Sequence, residues 1–300
     1  MNKVLIADSV SSAVSEVFDK NGIAYDTKIG LSEDELATEI TEYSGLIVRS
    51  AVTVTEKIIN SAINLKVIGR PGVGVDNVDL KAATNNGIVV MNTPLGNVQA
   101  TAELTFGIMH SLMRKISNAN QSMHQKKWEK KKFIGNEMYG KTIGIIGFGN
   151  IGKKVSQIAH AYGMNVLVYS ASISPEDEKK FNVTNQSIDD ILEGADIITF
   201  HNKLSENSKH LINSNAIIKM KKNAIIINCA RGGLVNEKDI KEALEKGNIA
   251  GYGCDVYENE PEQDSIFSSM DNVVMTPHIG ASTIEAQEKV AYQIAVSYTH

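Results

Sequence analysis

The stretch TIGIIGFGNIGKKVSQIAHAYGMNVLVYS, residues 142–170, constrains the fold most strongly. It has the pattern of an apolar strand, a glycine-rich turn, a helix and a second strand. Gly147, Gly149 and Gly152 follow the first strand with the spacing G-x-G-x-x-G. In such a turn the glycines permit a sharp bend, let the backbone approach a pyrophosphate and let helix and strand pack closely. The sequence therefore predicts a dinucleotide-binding site at this turn.

The second strand of this unit ends in Ser170, where an NAD-binding unit normally has an acid. That acid binds the ribose hydroxyls and repels the 2′-phosphate of NADP, whereas serine can bind a hydroxyl but repels nothing. The segment SASISPE that contains Ser170 has no arginine, and Lys203 is the nearest candidate cation. The sequence predicts NAD as the cofactor and leaves NADP open as an alternative.

Short β-branched runs alternate with helical patterns along the whole chain, which is typical of parallel βα units. Four strand-like runs precede residue 94 and six follow residue 141. The long amphipathic segment after residue 94 is predicted to cross between domains, and the helical segment after His278 is predicted to return to the first domain. We therefore predict an α/β protein with a first domain of residues 1–94 and 283–300 and a nucleotide domain of residues 95–282.

Composition narrows the classes of partner. The chain has 300 residues, 42% hydrophobic and 22% charged, with a net charge of -5, which argues against general nucleic-acid binding. No apolar run approaches the roughly 18 residues of a membrane span, and the N-terminal stretch MNKVLIADS is too short for a signal segment. Cys229 and Cys254 lie in apolar strand-like runs, which favours free, buried cysteines. These features predict a cytoplasmic protein with a small-molecule partner.

Chemically reactive side chains end three strands of the second group. Arg231 lies in NCARGG, Glu260 in DVYENEP and His278 in TPHIGAS. The carboxyl ends of parallel strands meet at one edge of a sheet, so these side chains should face one crevice. Oxidation of a 2-hydroxy acid needs a base, a cation for the carboxylate and a group that orients the base, and His, Arg and Glu supply them. The other histidines have no metal-ligand spacing, so we predict no metal.

The order Arg231, Glu260, His278, with GFGNIG and GRPGVGVDNVDL, resembles the D-isomer-specific 2-hydroxyacid dehydrogenase family over essentially the whole chain. The resemblance implies two doubly wound parallel-sheet domains, with a Rossmann-type nucleotide-binding domain inserted into a flavodoxin-like substrate domain. The segments GLIVRSA, MNTPLGN, KWEKKKFIG and PHIGAST resemble members that oxidise 3-phospho-D-glycerate to 3-phosphohydroxypyruvate, the first step of serine biosynthesis. The resemblance also implies a homodimer or higher homo-oligomer.

The resemblance implies a role for individual residues. His278 is the expected base, and Glu260 is expected to accept a hydrogen bond from its ring. Arg231 is expected to bind the substrate carboxylate. The expected substrate residues are Arg49, Arg70, Val73, Gly74 and Asn97. The expected cofactor residues are Gly147, Gly149, Asn150, Ile151, Gly152, Ser170, His201, Cys229, Ala230, Asp255, His278 and Gly280.

The distribution of arginine bears on the expected substrate site. The chain contains only four arginines, and three of them stand in the motif segments, which favours site roles for Arg49 and Arg70.

The basic run KKWEKKKF has two interpretations: Lys130 approaches a neighbouring subunit's phosphate with Trp128 at a dimer interface, or the run is a solvated loop. Reduction of glyoxylate or hydroxypyruvate is an alternative activity, and an NAD-sensing corepressor-like protein is an alternative of another class.

Overall fold

The computed structural model describes residues 3–299 and divides the chain into two compact units. The first unit comprises Met1–Ala100 and Ala281–His300, and the second comprises Thr101–Gly280. The first boundary lies in the first turn of a long helix, beyond the sequence-based boundary after residue 94. The assignment of a substrate role to one unit and a nucleotide role to the other stays a prediction.

The first unit is built on a five-stranded parallel sheet with the order β2-β1-β3-β4-β5, the flavodoxin-like order. Its strands are β1 (Lys3–Ile6), β2 (Ala24–Thr27), β3 (Gly45–Ile47), β4 (Val67–Arg70) and β5 (Val89–Asn92). Its helices are α1 (Ala13–Lys20), α2 (Glu33–Glu39), α3 (Glu56–Ser61), α4 (Leu80–Asn85) and α12 (Ile284–Ser297).

The helix α12 completes the core of the first unit from the far end of the sequence. Ala291, Ile294 and Ala295 are buried in one cluster with Val4 and Ile6 of β1 and with side chains of α1. The hydroxyl of Tyr298 donates a hydrogen bond of 2.6 Å to the carbonyl of Leu46 in β3. The last helix is thus part of the first unit's sheet packing and not an appendage.

The second unit is built on a seven-stranded parallel sheet with the order β12-β11-β10-β9-β6-β7-β8. Its strands are β6 (Thr142–Ile146), β7 (Asn165–Tyr169), β8 (Thr184–Asn185), β9 (Ile197–Phe200), β10 (Ile225–Asn228), β11 (Gly251–Cys254) and β12 (Val273–Met275). The helices are α5 (Val98–Arg114), which starts before the boundary, α6 (Ile116–His124), α7 (Asn150–Ala161), α8 (Pro175–Phe181), α9 (Ile188–Gly194), α10 (Ser214–Lys219) and α11 (Glu237–Glu245). The chain order reverses between β6 and β9, as in a Rossmann fold.

The predicted fold class is confirmed, but the predicted number of strands is wrong by one in each unit. Among the described residues the first unit has β2 in addition to the four predicted strands, and the second has β8 in addition to the six. Both are edge strands, and their residues are exposed or half-buried. Neither therefore carries the continuous apolar run that marked the central strands.

Local sequence signals explain where several helices begin. Ser32 and Ser187 form capping boxes at the starts of α2 and α9, with Glu35 and Asp190 as the reciprocal partners.

Cys229 and Cys254 are free and buried, as predicted. Within residues 3–299 no helix has the length and apolarity needed to cross a membrane.

Candidate active site

The carboxyl edge of the second unit's sheet carries the three residues expected to do the chemistry. Arg231, Glu260 and His278 lie in the loops after β10, β11 and β12, and these three strands pair in parallel with one another. Their carboxyl ends therefore emerge side by side, at the edge where open α/β sheets bind ligands. The structure brings the three loops together in one unit.

His278 and Glu260 form a direct pair. Nδ1 of His278 lies 2.6 Å from Oε2 of Glu260. A carboxylate only accepts hydrogen bonds, so Nδ1 carries the proton in this contact and Nε2 of the neutral ring is left as an acceptor. The ring is 47% exposed, so Nε2 belongs to a side chain that solvent and small molecules can reach. This arrangement presents a base with its tautomer fixed.

The Glu260 carboxyl is held in its ionised form. Burial alone would raise its pKa, but the hydrogen bond and charge of His278, the Tyr257 N–H and the charge of Arg231 together lower it below its ordinary value. The Tyr257 N–H donates to Oε1 of Glu260 at 3.0 Å, so each oxygen of the carboxylate has its own donor. An ionised Glu260 is the form that stabilises a cationic imidazole.

The loop that carries His278 is fixed by the buried Asp255. Its Oδ1 accepts hydrogen bonds from the Thr276 hydroxyl and the Ile279 N–H, each at 2.7 Å, and its Oδ2 accepts one from the Gly280 N–H at 2.8 Å. Between these anchors His278 adopts φ +52°, in the left-handed region that side chains rarely occupy. Asp255 therefore holds the loop of the base; contact of Asp255 with a cofactor stays a prediction.

The loop of Arg231 is shaped by Asn228 at the end of β10. The Asn228 side chain donates to the Arg231 carbonyl at 2.8 Å and accepts from the Ala230 N–H at 3.1 Å. The Arg231 guanidinium donates to the Ala230 carbonyl at 2.6 Å. Arg231 also contributes to the low pKa of the Glu260 carboxyl, which places its charge near the pair.

The glycine turn after β6 has the geometry that a dinucleotide pyrophosphate requires. Gly147 adopts φ +97°, and a Cβ there would lie 2.5 Å from the Asn202 backbone nitrogen; a Cβ on Gly152 would lie 2.2 Å from the Gly147 carbonyl oxygen. A Cβ on Gly149 would meet nothing within 4 Å, so that face of the turn is open. The helix α7 begins at this turn without a side-chain cap, whereas α8 to α11 have Ser or Asn caps. A helix N-terminus without a side-chain cap, next to an open glycine face, suits an anion.

Two buried polar atoms lie beside the glycine turn. Nδ1 of His201 and Oδ1 of Asn202 have no hydrogen-bond partner among the described residues, while Nε2 of His201 contacts the Thr199 hydroxyl at 3.1 Å. Burial lowers the pKa of His201 to about 3, so its ring is neutral. Unsatisfied buried polar atoms are rare in native proteins and suit a ligand that completes them. The residues present therefore fit NAD.

The remaining predicted cofactor residues lie at the same sheet edge. Ser170 directly follows β7, and its N–H donates to Oδ1 of Asn185 at 3.0 Å. Cys229 and Ala230 are buried just after β10, and the N–H of Gly280 donates to Oδ2 of Asp255. Asn150 and Ile151 form the first turn of α7. Their contacts with a cofactor stay predictions.

Within the first unit, Arg49 follows β3 and is fixed by an acid that the sequence analysis missed. The buried Asp8, just after β1, accepts hydrogen bonds from the backbone N–H groups of Arg49 at 2.9 Å and Ala51 at 3.0 Å. The signal was present, since an acid directly after an apolar strand is the pattern used elsewhere in the chain. Asp8 therefore belongs with the residues that position this loop.

Arg70 and the loop after it form a second group in the first unit. Gly72 adopts φ +152°, which other residues rarely adopt, and a Cβ there would lie 1.8 Å from Nη1 of Arg70, so a side chain at this position would displace the guanidinium. The Thr93 hydroxyl accepts from the Gly72 N–H at 2.7 Å, and the Asn92 side chain donates to the Val73 carbonyl at 2.7 Å. Val73, Gly74 and Asn97 are half-buried. Thr93 is a further residue that sequence reasoning did not find.

The basic segment of the second unit lies at the surface. Trp128 is 81% exposed, and Lys130 begins a short 3-10 turn at Lys130–Phe133. Whether this segment meets a second subunit stays a prediction. Within residues 3–299, no group of three or more His, Cys, Asp or Glu side chains is arranged to hold a metal ion.

Comparison with known proteins identifies the family. Residues 106–280 match the family model described as D-isomer specific 2-hydroxyacid dehydrogenase, NAD binding domain. The chain belongs to the D-isomer specific 2-hydroxyacid dehydrogenase family.

Individual proteins that are similar to this chain support the same assignment. D-3-phosphoglycerate dehydrogenase of Homo sapiens is 44% identical over 298 residues, which are 99% of this chain and 56% of the relative. D-3-phosphoglycerate dehydrogenase of Bacillus subtilis (strain 168) is 43% identical over 297 residues, or 98% and 56% of the two chains. The crystal structure of the TT0316 protein from Thermus thermophilus matches with a TM-score of 0.90 and 30% identity, covering 98% of this chain and 94% of that one. The chain thus spans about half the length of the curated relatives it matches.

Proposed function

We propose that this protein catalyses the NAD-dependent oxidation of 3-phospho-D-glycerate to 3-phosphohydroxypyruvate. The observation that carries the proposal is the His278–Glu260 pair, 2.6 Å apart, beside the Arg231 loop at the carboxyl edge of the second unit's sheet. The relatives named D-3-phosphoglycerate dehydrogenase support this choice of substrate over other 2-hydroxy acids.

The residues of the second unit divide the chemistry between them. Nε2 of His278 takes the proton of the C2 hydroxyl, because Nδ1 is already committed to Glu260. Glu260 stabilises the imidazolium that forms, and its low pKa keeps it ionised for that purpose. Arg231 holds the substrate carboxylate with its planar fork of donors. NAD held at the glycine turn would supply the acceptor for the hydride of C2.

The cofactor would be held by the glycine turn and the uncapped start of α7, with His201 and Asn202 supplying the unsatisfied polar atoms beside it. The substrate also has a phosphate, which needs cations beyond Arg231. Arg49 and Arg70 of the first unit are the proposed phosphate residues, with Val73, Gly74 and Asn97 as further proposed substrate contacts. Asp8 and Gly72 support this assignment because each shapes the backbone or space around one of the two arginines.

Steady-state NADH formation from 3-phospho-D-glycerate at alkaline pH tests the proposal, with His278→Gln as the inactive control and D-lactate and D-glycerate as unphosphorylated controls. We expect turnover of the phosphorylated acid in preference to the others. Absence of turnover with both NAD and NADP would refute the proposed substrate. Reduction of glyoxylate or hydroxypyruvate that survives Arg49→Ala unchanged would favour the alternative activity.

A further inference from the structure

Three residues outside the proposed catalytic set connect the loops that carry it. They are His210, before α10, Glu237, at the start of α11, and Glu258, two residues before Glu260. We call this group the clasp. Each of its members contacts another member or the Arg231 loop through hydrogen bonds at the carboxyl edge of the second unit's sheet.

The two glutamates of the clasp hold each other's backbone. The Glu237 N–H donates to Oε1 of Glu258 at 3.2 Å, and the Glu258 N–H donates to Oε1 of Glu237 at 3.0 Å. Glu237 follows the Arg231 turn in the chain, whereas Glu258 belongs to the loop of Glu260. The reciprocal pair therefore joins the Arg231 loop to the Glu260 loop.

The same two loops touch directly through their backbones. A Cβ on Gly232 would lie 1.9 Å from the Tyr257 carbonyl carbon, so the residue next to Arg231 packs against the residue next to Glu258 with no room for a side chain. Tyr257 in turn donates its N–H to Glu260 at 3.0 Å. A shift at this contact would pass to both Arg231 and Glu260.

His210, from a third segment of the chain, contacts both of these loops. Its Nε2 lies 3.2 Å from Oε1 of Glu258, and its N–H donates to the Gly233 carbonyl at 2.8 Å. It does this at φ +48°, in the left-handed region where glycine would be unstrained. Strained backbone persists only where the surroundings hold it and is concentrated at functional sites.

The electrostatics of the clasp explain why a histidine faces it. Burial raises the pKa of the Glu237 carboxyl, and the negative charges of Glu258 and Glu262 raise it further, against the hydrogen bond from the Glu258 N–H. Two carboxylates this close repel one another. The Nε2 of His210 lies 3.2 Å from Oε1 of Glu258, so a protonated ring would oppose that repulsion.

We propose that His210, Glu237 and Glu258 are positioning residues that hold the Arg231 loop in register with the Glu260 loop. They touch neither substrate nor cofactor in this role and act through Arg231 and Glu260. The inference rests on the proposed function of Arg231, Glu260 and His278.

The test uses the full chain with three variants and one matched control. Glu258→Ala removes both side-chain contacts, Glu258→Gln keeps the oxygen that accepts from Glu237, and His210→Gly removes the ring while relieving the positive φ. Ser187→Ala, which removes the cap of α9 in the same unit, is the control for lost stability. The readouts are kcat, KM, the NAD dissociation constant, Tm and amide hydrogen exchange of the loops at residues 231–234 and 257–260.

We expect Glu258→Ala to lower kcat about tenfold, since misplaced catalytic groups lose rate steeply, with an unchanged NAD dissociation constant. Glu258→Gln should keep most of the wild-type kcat, because it retains the oxygen that accepts from the Glu237 N–H. His210→Gly should lower kcat without lowering Tm, because strain is relieved while the clasp opens. Exchange of both loops should accelerate in Glu258→Ala and His210→Gly only.

Wild-type kcat in Glu258→Ala and His210→Gly, or a loss that Ser187→Ala reproduces at equal Tm, would overturn the clasp. An inactive wild-type chain would instead refute the proposed substrate. Loop exchange needs no substrate, so it still decides the clasp in that case: unchanged exchange in both variants rejects it.

Discussion

His278 and Glu260 come from loops after neighbouring strands, and their side chains meet with Nδ1 and Oε2 2.6 Å apart. Because the carboxylate fixes the tautomer of the ring, Glu260→Gln should leave a misoriented or wrongly protonated base. We expect kcat to fall by about two to four orders of magnitude, while calorimetric titration of NAD shows unchanged affinity. A Glu260→Gln enzyme with near-normal kcat would show that the pair is not catalytic.

Asp255 uses both carboxylate oxygens to hold the loop around His278. In Asp255→Asn an NH₂ group must face at least one N–H or O–H donor, which leaves a buried donor unsatisfied. We expect a loss of about 2 kcal/mol in the free energy of unfolding and a larger fall in kcat than Ser187→Ala causes at similar stability. Denaturant unfolding and steady-state kinetics check the two parts. A loss of stability with unchanged kcat would limit Asp255 to a structural role.

Gly149 and Gly147 should respond differently to alanine. A Cβ at Gly149 meets no protein atom within 4 Å, whereas one at Gly147 meets the backbone of residues 201 and 202. Gly149→Ala should therefore keep its Tm and weaken NAD binding about tenfold or more, because the methyl occupies the pyrophosphate's approach. Gly147→Ala should lose stability outright. Gly107→Ala, also open within 4 Å, is the control for calorimetry and should bind NAD normally.

Ser170 occupies the position where a carboxylate would repel the 2′-phosphate of NADP. Ser170→Asp should therefore raise the NADP dissociation constant about tenfold or more while changing that of NAD little, because the new charge meets only the phosphorylated cofactor. Ser170→Asn, of similar size but neutral, is the matched control. Equal affinities in the Asp and Asn variants would mean that another group sets the selectivity.

Burial lowers the pKa of His201 to about 3 from an ordinary value of 6.5. Between these values the unfolded chain binds a proton that the folded chain does not, so stability falls as the pH drops through this window and is unaffected above it. The wild type should lose up to about 1 kcal/mol more per pH unit than His201→Asn between pH 6 and 4. Denaturant unfolding at several pH values measures the difference. Parallel curves for the two proteins would show that the ring is not buried as neutral imidazole.

Most of the second unit's architecture was predictable because its information is local. Central strands carry unbroken apolar runs, and the glycines, Arg231, Glu260 and His278 lie in the turns and loops after such runs. The edge strands β2 and β8 were not predicted, because exposed and half-exposed residues do not form such an apolar run. A pattern of residue types locates the sheet edge but not the contacts made there.

The supporting contacts were not predictable for a different reason. The contacts of Asp8 with the Arg49 loop and of His210 with Glu258 join segments that are distant in the chain and meet only in the folded unit. The positive φ values of His210 and His278 have no sequence marker, since histidine does not indicate a left-handed conformation as glycine does. Sequence reasoning finds the reacting groups more readily than the residues that hold them.

The return of α12 to the first unit means that the core of this unit is completed by a helix synthesised late. The second unit is continuous in sequence and is fully synthesised before α12 emerges. Until then the apolar faces of β1 and α1, which Ala291 and Ile294 later cover, remain open to water and to chaperones. The segment of β1 and α1 is thus synthesised well before the helix that completes its core, and newly made chains are most prone to aggregate during that interval.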